Sequence, residues 1–230
     1  MTNNPIFCAI DTSDIDKAVS IVDQISPHIG GIKLGLEFFT SCGLSGLEKI
    51  KKFEVPIFID LKLYDIPNTV KQALSNILQF EPKYTTLHLS GGSEMLTECI
   101  KAKNEVNSIT KLIGVTMLTS FNDTLISEIG IEKSVNENVK QLTQLAVNCG
   151  MDGIVCSPLE ISEIKKTYKN KLKIITPGIR GERNASNDQK RTLSAKEAID
   201  AGADVLVVGR PITDAKDPAQ AAENIYSEIT

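Results

Sequence analysis

The chain has 230 residues, of which 41% are hydrophobic and 23% are charged, a composition typical of a globular protein with a full-sized core. Lysine and arginine total 25 against 29 aspartate and glutamate residues, so the net charge is −4 and no basic surplus predicts binding to nucleic acid. The apolar stretches are short, and the first residues lack the basic region and apolar run of a signal peptide. We therefore expect no membrane segment and a cytoplasmic location.

The cysteine and histidine residues are not spaced like metal ligands. The five cysteines form no C-x-x-C pair, and scattered thiols in a chain of this size are typical of a reducing compartment. The two histidines, His28 and His88, lie far apart in the sequence, so a zinc site is not predicted. The sequence also has no motif for an organic cofactor. A magnesium ion held by carboxylates stays open on these grounds.

Short β-branched runs recur along the chain, and each is followed by a longer segment in which apolar residues return every three or four positions. The runs predict eight strands, at residues 6–10, 31–35, 55–62, 85–90, 111–118, 153–157, 173–178 and 205–209. About eight helices are expected, and the clearest helical segments are residues 15–25, 69–80, 135–150 and 221–229. This alternation indicates an α/β fold rather than a sandwich or a helix bundle.

The number of strand and helix units favours a (β/α)8 TIM barrel, with an open doubly wound sheet as the alternative. Eight units give about 29 residues each, which is close to the size at which such a barrel closes. Polar residues also cluster where the strand runs end, and in a barrel these ends meet on one face. These residues are Asp11, Lys33, Asp60, Lys62, Thr119, Ser157, Arg180 and Arg210. Because no linker rich in Pro, Gly and Ser divides the chain, we expect a single domain over residues 1–230.

The third predicted strand carries charges where apolar residues would normally continue. Asp60 and Lys62 are two positions apart, so both side chains project from the same side of a regular strand, and Asp65 follows just past its end. Asp11 ends the first predicted strand and Lys33 lies in the second, so neighbouring strands would bring both charges to the same barrel mouth. A solvated ion pair at an exposed strand end is the simpler alternative.

An array of aspartate and lysine side chains has a definite chemical use. Neighbouring carboxylates keep a lysine protonated when it is removed from bulk water. Such a lysine can donate a proton and stabilise a carbanion by its fixed positive charge. A lysine of this array is therefore the candidate general acid, with no metal or organic cofactor required.

A long polar connection follows the seventh predicted strand. The residues between Thr176 and Ser194 are rich in turn formers, and βα connections of this length are usually lids or disordered segments. After the eighth strand, Gly209 would allow close approach of the backbone to a phosphate, and Arg210 offers planar paired donors. Barrels commonly bind phosphate after strands seven and eight, which favours this interpretation over an ordinary turn with an exposed arginine.

The motif D-x-K-x-x-D-I-x-x-T, formed by Asp60, Lys62, Asp65, Ile66 and Thr69, resembles the signature of the orotidine 5′-phosphate decarboxylases. The resemblance covers nearly the whole chain. It extends to A-I-D at Asp11, I-K-L-G around Lys33, H-L-S-G-G from His88, M-L-T-S around Thr119, C-S at Ser157, T-P-G-I-R ending at Arg180, D-Q-K-R with Gln189, and V-G-R-P with Arg210. Each of these motifs is weak alone, but their joint order is specific.

The resemblance implies a role for each residue of the charged array. Lys62 would deliver a proton to C6 of the pyrimidine after carbon dioxide leaves, and Asp60 would lie next to the substrate carboxylate. Lys33 and Asp11 would hold the ribose hydroxyls and complete the charge network.

The resemblance also implies contacts outside the array. Asp65 and Thr69 would reach the active site of a neighbouring subunit, so a homodimer with shared sites is expected. Thr119 and Ser157 would line the nucleoside pocket, with Ser157 touching the pyrimidine edge. The other substrate-binding residues implied are Ile66, Pro177, Arg180, Gln189, Gly209 and Arg210, of which the last three and Arg180 lie at the phosphate end.

The implied function is cofactor-independent decarboxylation of orotidine 5′-phosphate to uridine 5′-phosphate in pyrimidine nucleotide synthesis, with no metal site. A related group, the magnesium-dependent sugar-phosphate decarboxylases and aldolases, shares the D-x-K-x-x-D pattern but typically has an acidic metal ligand where this chain has Lys33. A nucleotide-binding barrel without catalysis and a barrel isomerase that uses a carboxylate pair are further alternatives.

Overall fold

The computed structural model describes residues 4–179 and 193–230. Within these residues, eight parallel strands close into a barrel in chain order, which confirms the predicted (β/α)8 fold. Each strand overlaps its predicted run, and β8 pairs with β1 to complete the circle. The strands are β1 Ile6–Ala9, β2 Gly31–Leu34, β3 Ile57–Leu63, β4 Tyr84–His88, β5 Lys111–Val115, β6 Gly153–Val155, β7 Lys173–Thr176 and β8 Val205–Val208.

The described part of the chain has more helices than the eight expected, because the short α5 and α9 precede longer helices in the connections after β5 and β8. None of the helices in this part has the length and apolar composition needed to cross a bilayer. The helices are α1 Ile15–Ile25, α2 Leu36–Lys51, α3 Pro67–Leu78, α4 Gly92–Glu105, α5 Asp123–Glu128, α6 Val135–Cys149, α7 Ile161–Tyr168, α8 Ala195–Ala201, α9 Arg210–Thr213 and α10 Pro218–Ser227.

Capping residues determine where several helices begin. The Asp14 side chain accepts hydrogen bonds from two backbone N–H groups in the first turn of α1. Ser134 starts α6 through a capping box with Glu137. These contacts satisfy backbone donors that the first turn of a helix leaves free. Helix α3 begins at Pro67, two residues before its predicted start, because the fixed backbone angle of proline suits the first helical position.

Large aromatic side chains fill the amino-terminal half of the barrel interior. Phe7, Phe58 and Tyr84 pack edge to face, with ring centroids between 5.4 and 6.5 Å apart. Gly31 makes room for them, because a Cβ atom at this position would lie 2.3 Å from a ring carbon of Phe7. Two residues beyond Phe7 on β1, the inward-facing residue is the small Ala9, and the interior widens there into a cavity.

The outward-facing residues of the strands form a second core against the helices. On β1, Ile6 and Cys8 belong to this outer core, whereas Phe7 and Ala9 belong to the barrel interior. Alternate residues of a strand therefore pack into the barrel interior and into the outer core. Helix α1 packs against the outer core with residues that recur every three or four positions, namely Ala18, Ile21, Val22 and Ile25.

Aspartate side chains connect the amino-terminal ends of neighbouring strands. Asp152, directly before β6, accepts hydrogen bonds from the backbone N–H of Leu112 at 2.9 Å and from the ammonium groups of Lys103 at 2.7 Å and Lys111 at 3.0 Å. Burial raises the pKa of Asp152, but these hydrogen bonds outweigh it and hold the pKa below its usual value. Asp204 makes the corresponding contacts between β7 and β8.

We expect Asp152→Ala to lower the free energy of unfolding by about 1–3 kcal/mol, because the Leu112 N–H and two ammonium groups lose their acceptor. Asp152→Asn should lose less, since an amide oxygen can still accept from Leu112. Urea denaturation measures both. The carboxylate stabilises the fold only while ionised, so the wild-type advantage should be complete at pH 7 and decrease as the pH falls below the ordinary carboxyl pKa of 3.8.

Asp200→Ala is the matched control for this prediction. Asp200 forms an exposed ion pair with Lys196 on α8 at 3.5 Å, and pairs of this kind contribute about 0.5 kcal/mol or less. Equal losses of stability in the Asp152 and Asp200 variants would contradict a special role for the strand-connecting aspartate.

Candidate active site

A cavity of about 600 Å³ opens at the carboxyl-terminal ends of the strands. TIM-barrel enzymes place their active sites at this end. Apolar side chains of the barrel interior form its base, namely Ala9, Phe58, Val155, Ile175 and Val207. Charged side chains from the first three strands and their ends line one part of the wall, namely Asp11, Lys33, Asp60 and Lys62. The rest of the wall comes from residues that follow β5, β7 and β8.

The four charged residues form a continuous array in which signs alternate. The Lys33 ammonium lies 3.3 Å from Oδ1 of Asp11 and 3.6 Å from Oδ2 of Asp60. The Lys62 ammonium donates a hydrogen bond of 2.9 Å to the same Asp60 oxygen. The structure thus brings together the charges predicted to meet at the barrel mouth. The order along the array is Asp11, Lys33, Asp60, Lys62.

The array is set into the barrel rather than spread over its surface. The side chains of Asp60 and Lys33 are 9% and 11% exposed, whereas those of Lys62 and Asp11 are 33% and 52% exposed. Burial raises the pKa of Asp60, but the charges of Lys33 and Lys62 and the hydrogen bonds it accepts outweigh burial, so the pKa lies below its ordinary value. The simpler interpretation, a solvated pair at a strand end, does not describe a carboxylate this buried.

Strand β3 is irregular where it carries Lys62. Its pairing with β4 shifts between Ile59 and Leu63, which places extra residues on β3. Lys62 has a φ of +50°, in the left-handed region that residues with a side chain seldom adopt. Its backbone N–H donates to the hydroxyl of Thr86 on β4 at 2.8 Å. Asp60 and Lys62 do meet in the cavity, but through a bulge and not through the regular alternation that the sequence suggested.

The residues after β3 do not belong to the described lining of the cavity of their own chain. Asp65, Ile66 and Thr69 are exposed, and none of them lines the described cavity wall. Asp65 accepts a hydrogen bond from the backbone N–H of Ile66 at 2.7 Å, and within residues 4–179 and 193–230 it forms no ion pair with Lys62. Tyr64 stacks on His88, with ring centroids 5.5 Å apart, and this contact holds the segment against the end of β4.

The substrate-binding residues predicted after β5, β6 and β7 have different placements. Thr119, after β5, and Pro177, after β7, line the cavity. Ser157, after β6, is fully buried and does not belong to the described lining. Its hydroxyl accepts from the backbone N–H of Leu159 at 3.4 Å, and Glu160 accepts from the backbone N–H of Ser157 at 2.9 Å. Ser157 therefore caps the short 3-10 turn that follows β6.

The residues predicted for the phosphate end lie after β7 and β8. Gly209 and Arg210 line the cavity, and Arg210 is the first residue of α9. Arg180 and Gln189 lie outside the described residues. Ile179, which lines the cavity, and Leu193 are joined by a parallel bridge.

Residues 4–225 of the chain match a protein family described as "Orotidine 5'-phosphate decarboxylase / HUMPS family". The chain belongs to this family. The match spans nearly the whole barrel, and the family resemblance inferred from the motifs is confirmed.

Individual orotidine 5′-phosphate decarboxylases of this family are similar over the full chain. The enzyme of Ehrlichia chaffeensis is 47% identical over 232 residues, which cover 100% of this chain and 99% of the relative. The enzyme of Wolbachia pipientis subsp. Culex pipiens is 46% identical over 227 residues, 99% of both proteins. The crystal structure of the enzyme from Lactobacillus acidophilus matches with a TM-score of 0.85, 32% identity and 99% coverage of each chain.

Two further residues contact the charged array of this family member and were not predicted from the sequence. Thr86 donates its hydroxyl proton to Oδ1 of Asp60 at 3.0 Å. Gly35 lies so close to the array that a Cβ atom there would be 2.9 Å from the Lys33 ammonium and 3.1 Å from Oδ1 of Asp11. A polar residue at an inward position of β4, and a glycine two residues after a buried lysine, are the signals that could have identified them.

Among the described residues, no group of three or more His, Cys, Asp and Glu side chains is placed to hold a metal ion. The carboxylates of Asp11 and Asp60 both contact the Lys33 ammonium, at 3.3 and 3.6 Å. A cation between them would meet a fixed positive charge, which is unfavourable chemistry for a metal site.

We expect Gly35→Ala to displace the Lys33 ammonium from Asp11 without unfolding the barrel. The backbone at Gly35 is extended and accepts any residue, and the atom in the way is the end of a flexible side chain. A crystal structure of the variant should show the Lys33 to Asp11 contact broken. The melting temperature should fall by only about 2–4 °C, the shift that corresponds to about 1 kcal/mol in a protein of this size.

Gly209→Ala provides the control for the array geometry. A Cβ atom at Gly209 would lie 3.6 Å from its nearest neighbour, which is ordinary contact, so the array should stay in place. A short Lys33 to Asp11 contact retained in Gly35→Ala would refute the steric argument.

Proposed function

We propose that this protein decarboxylates orotidine 5′-phosphate to uridine 5′-phosphate and carbon dioxide, as a step of pyrimidine nucleotide synthesis. The observation that carries the proposal is the Lys62 ammonium, held 2.9 Å from the buried Asp60 carboxylate in a cavity at the catalytic end of the barrel. Family membership and the names of the similar full-length proteins support the same reaction.

The proposed chemistry balances within the substrate and one lysine. The bond between C6 and the carboxylate carbon breaks, carbon dioxide leaves, and the electron pair stays on C6. The Lys62 ammonium stabilises this developing negative charge and then donates a proton to C6. The neutral amine that results regains a proton from solvent. The Lys62 side chain is 33% exposed, which allows this exchange.

Asp60 supports the reaction through the charge of its neighbours. A carboxylate next to a lysine favours the ammonium form, so Lys62 stays protonated until C6 becomes basic enough to take the proton. Under this proposal the substrate carboxylate lies next to Asp60, and the ribose hydroxyls lie against Lys33 and Asp11. We attribute the acceleration chiefly to stabilisation of the carbanion by Lys62.

The part of the cavity that follows β8, the strand next to β1, suits the phosphate. Gly209 and Arg210 follow β8, and loops after β7 and β8 are the usual phosphate site of TIM barrels. Arg180 and Gln189 are proposed to join them. Because the net charge of the protein is −4 and the substrate is an anion, attraction must come from these local cations rather than from the overall charge.

The wild-type protein should convert orotidine 5′-phosphate, and the change in ultraviolet absorbance measures this conversion. Lys62→Ala should lower the turnover rate by about 10³-fold or more, because the proton donor and the carbanion-stabilising charge are lost together. Binding of uridine 5′-phosphate, measured by calorimetry, should be largely retained. Lys140→Ala is the control, because Lys140 pairs with Glu163 on the helical exterior and should leave turnover unchanged.

The same assay separates the alternatives. A barrel that only binds nucleotides would bind uridine 5′-phosphate without consuming orotidine 5′-phosphate. A rate lost on treatment with EDTA and restored by magnesium would favour the metal-dependent sugar-phosphate group. Substantial turnover by Lys62→Ala would remove Lys62 from its proposed role.

We further propose a homodimer in which Asp65 and Thr69 act in the partner's site. Within its own chain, Asp65 is exposed and lies apart from the cavity lining. Its neighbours Tyr64 and Ile66 are 62% and 67% exposed, which is high for large apolar side chains next to an active site. A second copy seated on this segment would cover both side chains and carry Asp65 toward the array of the other chain.

Mixing Lys62→Ala chains with Asp65→Ala chains should restore activity. Each hybrid dimer rebuilds one site from the Lys62 of one chain and the Asp65 of the other. With random exchange, half of the dimers are hybrids, so recovery should approach about a quarter of the wild-type rate in a symmetric dimer. Turnover after subunit exchange is the measurement.

The control mixture combines Lys62→Ala with Asp60→Ala. These two residues belong to one array within one chain, so no hybrid contains an intact site and no recovery is expected. If the Asp65 mixture recovers no more than this control although exchange is confirmed by native mass spectrometry, Asp65 does not act across the interface.

A further inference from the structure

Thr86 occupies the point where β3 departs from regular pairing with β4. Its side chain is fully buried and faces the charged array from the neighbouring strand. The Thr86 hydroxyl accepts a hydrogen bond of 2.8 Å from the backbone N–H of Lys62 and forms a hydrogen bond of 3.0 Å with Oδ1 of Asp60. A single side chain thus contacts both the backbone of the proposed acid and the carboxylate beside it.

The direction of these hydrogen bonds follows from the chemistry of the groups. A backbone N–H can only donate, so the Thr86 oxygen accepts from Lys62. The single hydroxyl proton is then free to point at Asp60, whose ionised carboxylate can only accept. The hydroxyl has no alternative arrangement that satisfies both neighbours.

The two Asp60 oxygens consequently have separate partners. Oδ1 accepts from Thr86, and Oδ2 faces the ammonium groups of Lys62 and Lys33. A partial rotation of the carboxylate would break the Thr86 contact, so this contact fixes the orientation in which the carboxylate meets the lysines. The same hydroxyl gives a partner to the Lys62 N–H, which the irregular strand removes from regular pairing with β4.

We propose that Thr86 is a positioning residue for the decarboxylation, because it locks the Asp60 carboxylate and the left-handed Lys62 backbone in the arrangement that aims the Lys62 ammonium into the cavity. This inference rests on the proposed function. Thr86 does not line the cavity among the described residues, so it acts through Asp60 and Lys62 and not on the substrate.

The adjacent residue, Thr85, supplies a matched control. Thr85 is also fully buried on β4, but it points to the opposite face of the strand. Its hydroxyl has no hydrogen-bond partner among the described residues. Replacement by valine therefore removes one buried hydroxyl at either position, and only the Thr86 change touches the array.

The test compares Thr86→Val, Thr86→Ser and Thr85→Val. We expect Thr86→Val to lower kcat by about 10- to 100-fold, the loss typical of a displacement of about 1 Å in a reacting group, with KM changed by less than about threefold. Thr86→Ser retains the hydroxyl and should restore kcat to within about threefold of wild type. Thr85→Val should match wild type in both constants.

The outcomes separate this inference from the function on which it rests. If the wild type is active, two results would overturn the positioning role alone. Either Thr86→Val is as fast as Thr85→Val, or Thr86→Ser is as slow as Thr86→Val. An inactive wild type would overturn the proposed function.

A crystal structure of Thr86→Val tests the geometry whatever the rates. The Asp60 carboxylate should turn, or the Lys62 ammonium should move away from its 2.9 Å contact. An unchanged array would overturn the inference. If the valine variant is too unstable to study, Thr86→Ala is measured by the same criteria.

Discussion

The site depends on the neutralisation of one buried carboxylate. Asp60 sits at the edge of the barrel interior with 9% of its side chain exposed, where an unpaired charge would be strongly unfavourable. Lys33 on β2 and Lys62 on β3 neutralise the charge of Asp60, and the Thr86 hydroxyl on β4 donates a hydrogen bond to it. The two lysines in turn need Asp60, because their ammonium groups would repel each other without a carboxylate between them. The charges therefore hold each other in a common geometry.

The barrel makes this arrangement possible by dividing its interior along the strand direction. On β1 the inward residues change from Phe7 to Ala9, and on β3 they change from Phe58 to Asp60. The buried aromatic layer fills the amino-terminal half of the interior, whereas smaller and charged side chains line the cavity in the carboxyl-terminal half. The aspartates at the other end, such as Asp152, connect strands without entering the cavity. The amino-terminal ends of the strands therefore carry contacts that stabilise the fold, and the carboxyl-terminal ends carry the charged array.

The fold and the charged residues could be predicted from the sequence because their signals are local. The β-branched runs mark all eight strands within the described chain, and a carboxylate such as Asp60 at the end of an apolar run is conspicuous. The bulge at Lys62 could not be predicted, because a left-handed lysine leaves no mark in the residue spacing. Thr86 was missed because a threonine in a β-branched run fits the strand pattern whether its hydroxyl is used or not. Ser157 ends a strand and was predicted to contact the substrate, but a serine at such a position can also cap the turn that follows, as Ser157 does.

The charges of the array also define what the rest of the site must do. Asp11, Lys33, Asp60 and Lys62 sum to no net charge, so the array offers an anionic nucleotide little overall attraction. Under the proposed function, binding free energy must therefore come from the phosphate end, where Arg210 lies, and the array is left to act on the charge that develops at C6. An array with an excess of positive charge would bind the substrate carboxylate more tightly in the ground state and gain less on reaching the transition state. A nearly neutral array therefore suits an enzyme that stabilises the carbanion of the transition state more than the carboxylate of the bound substrate.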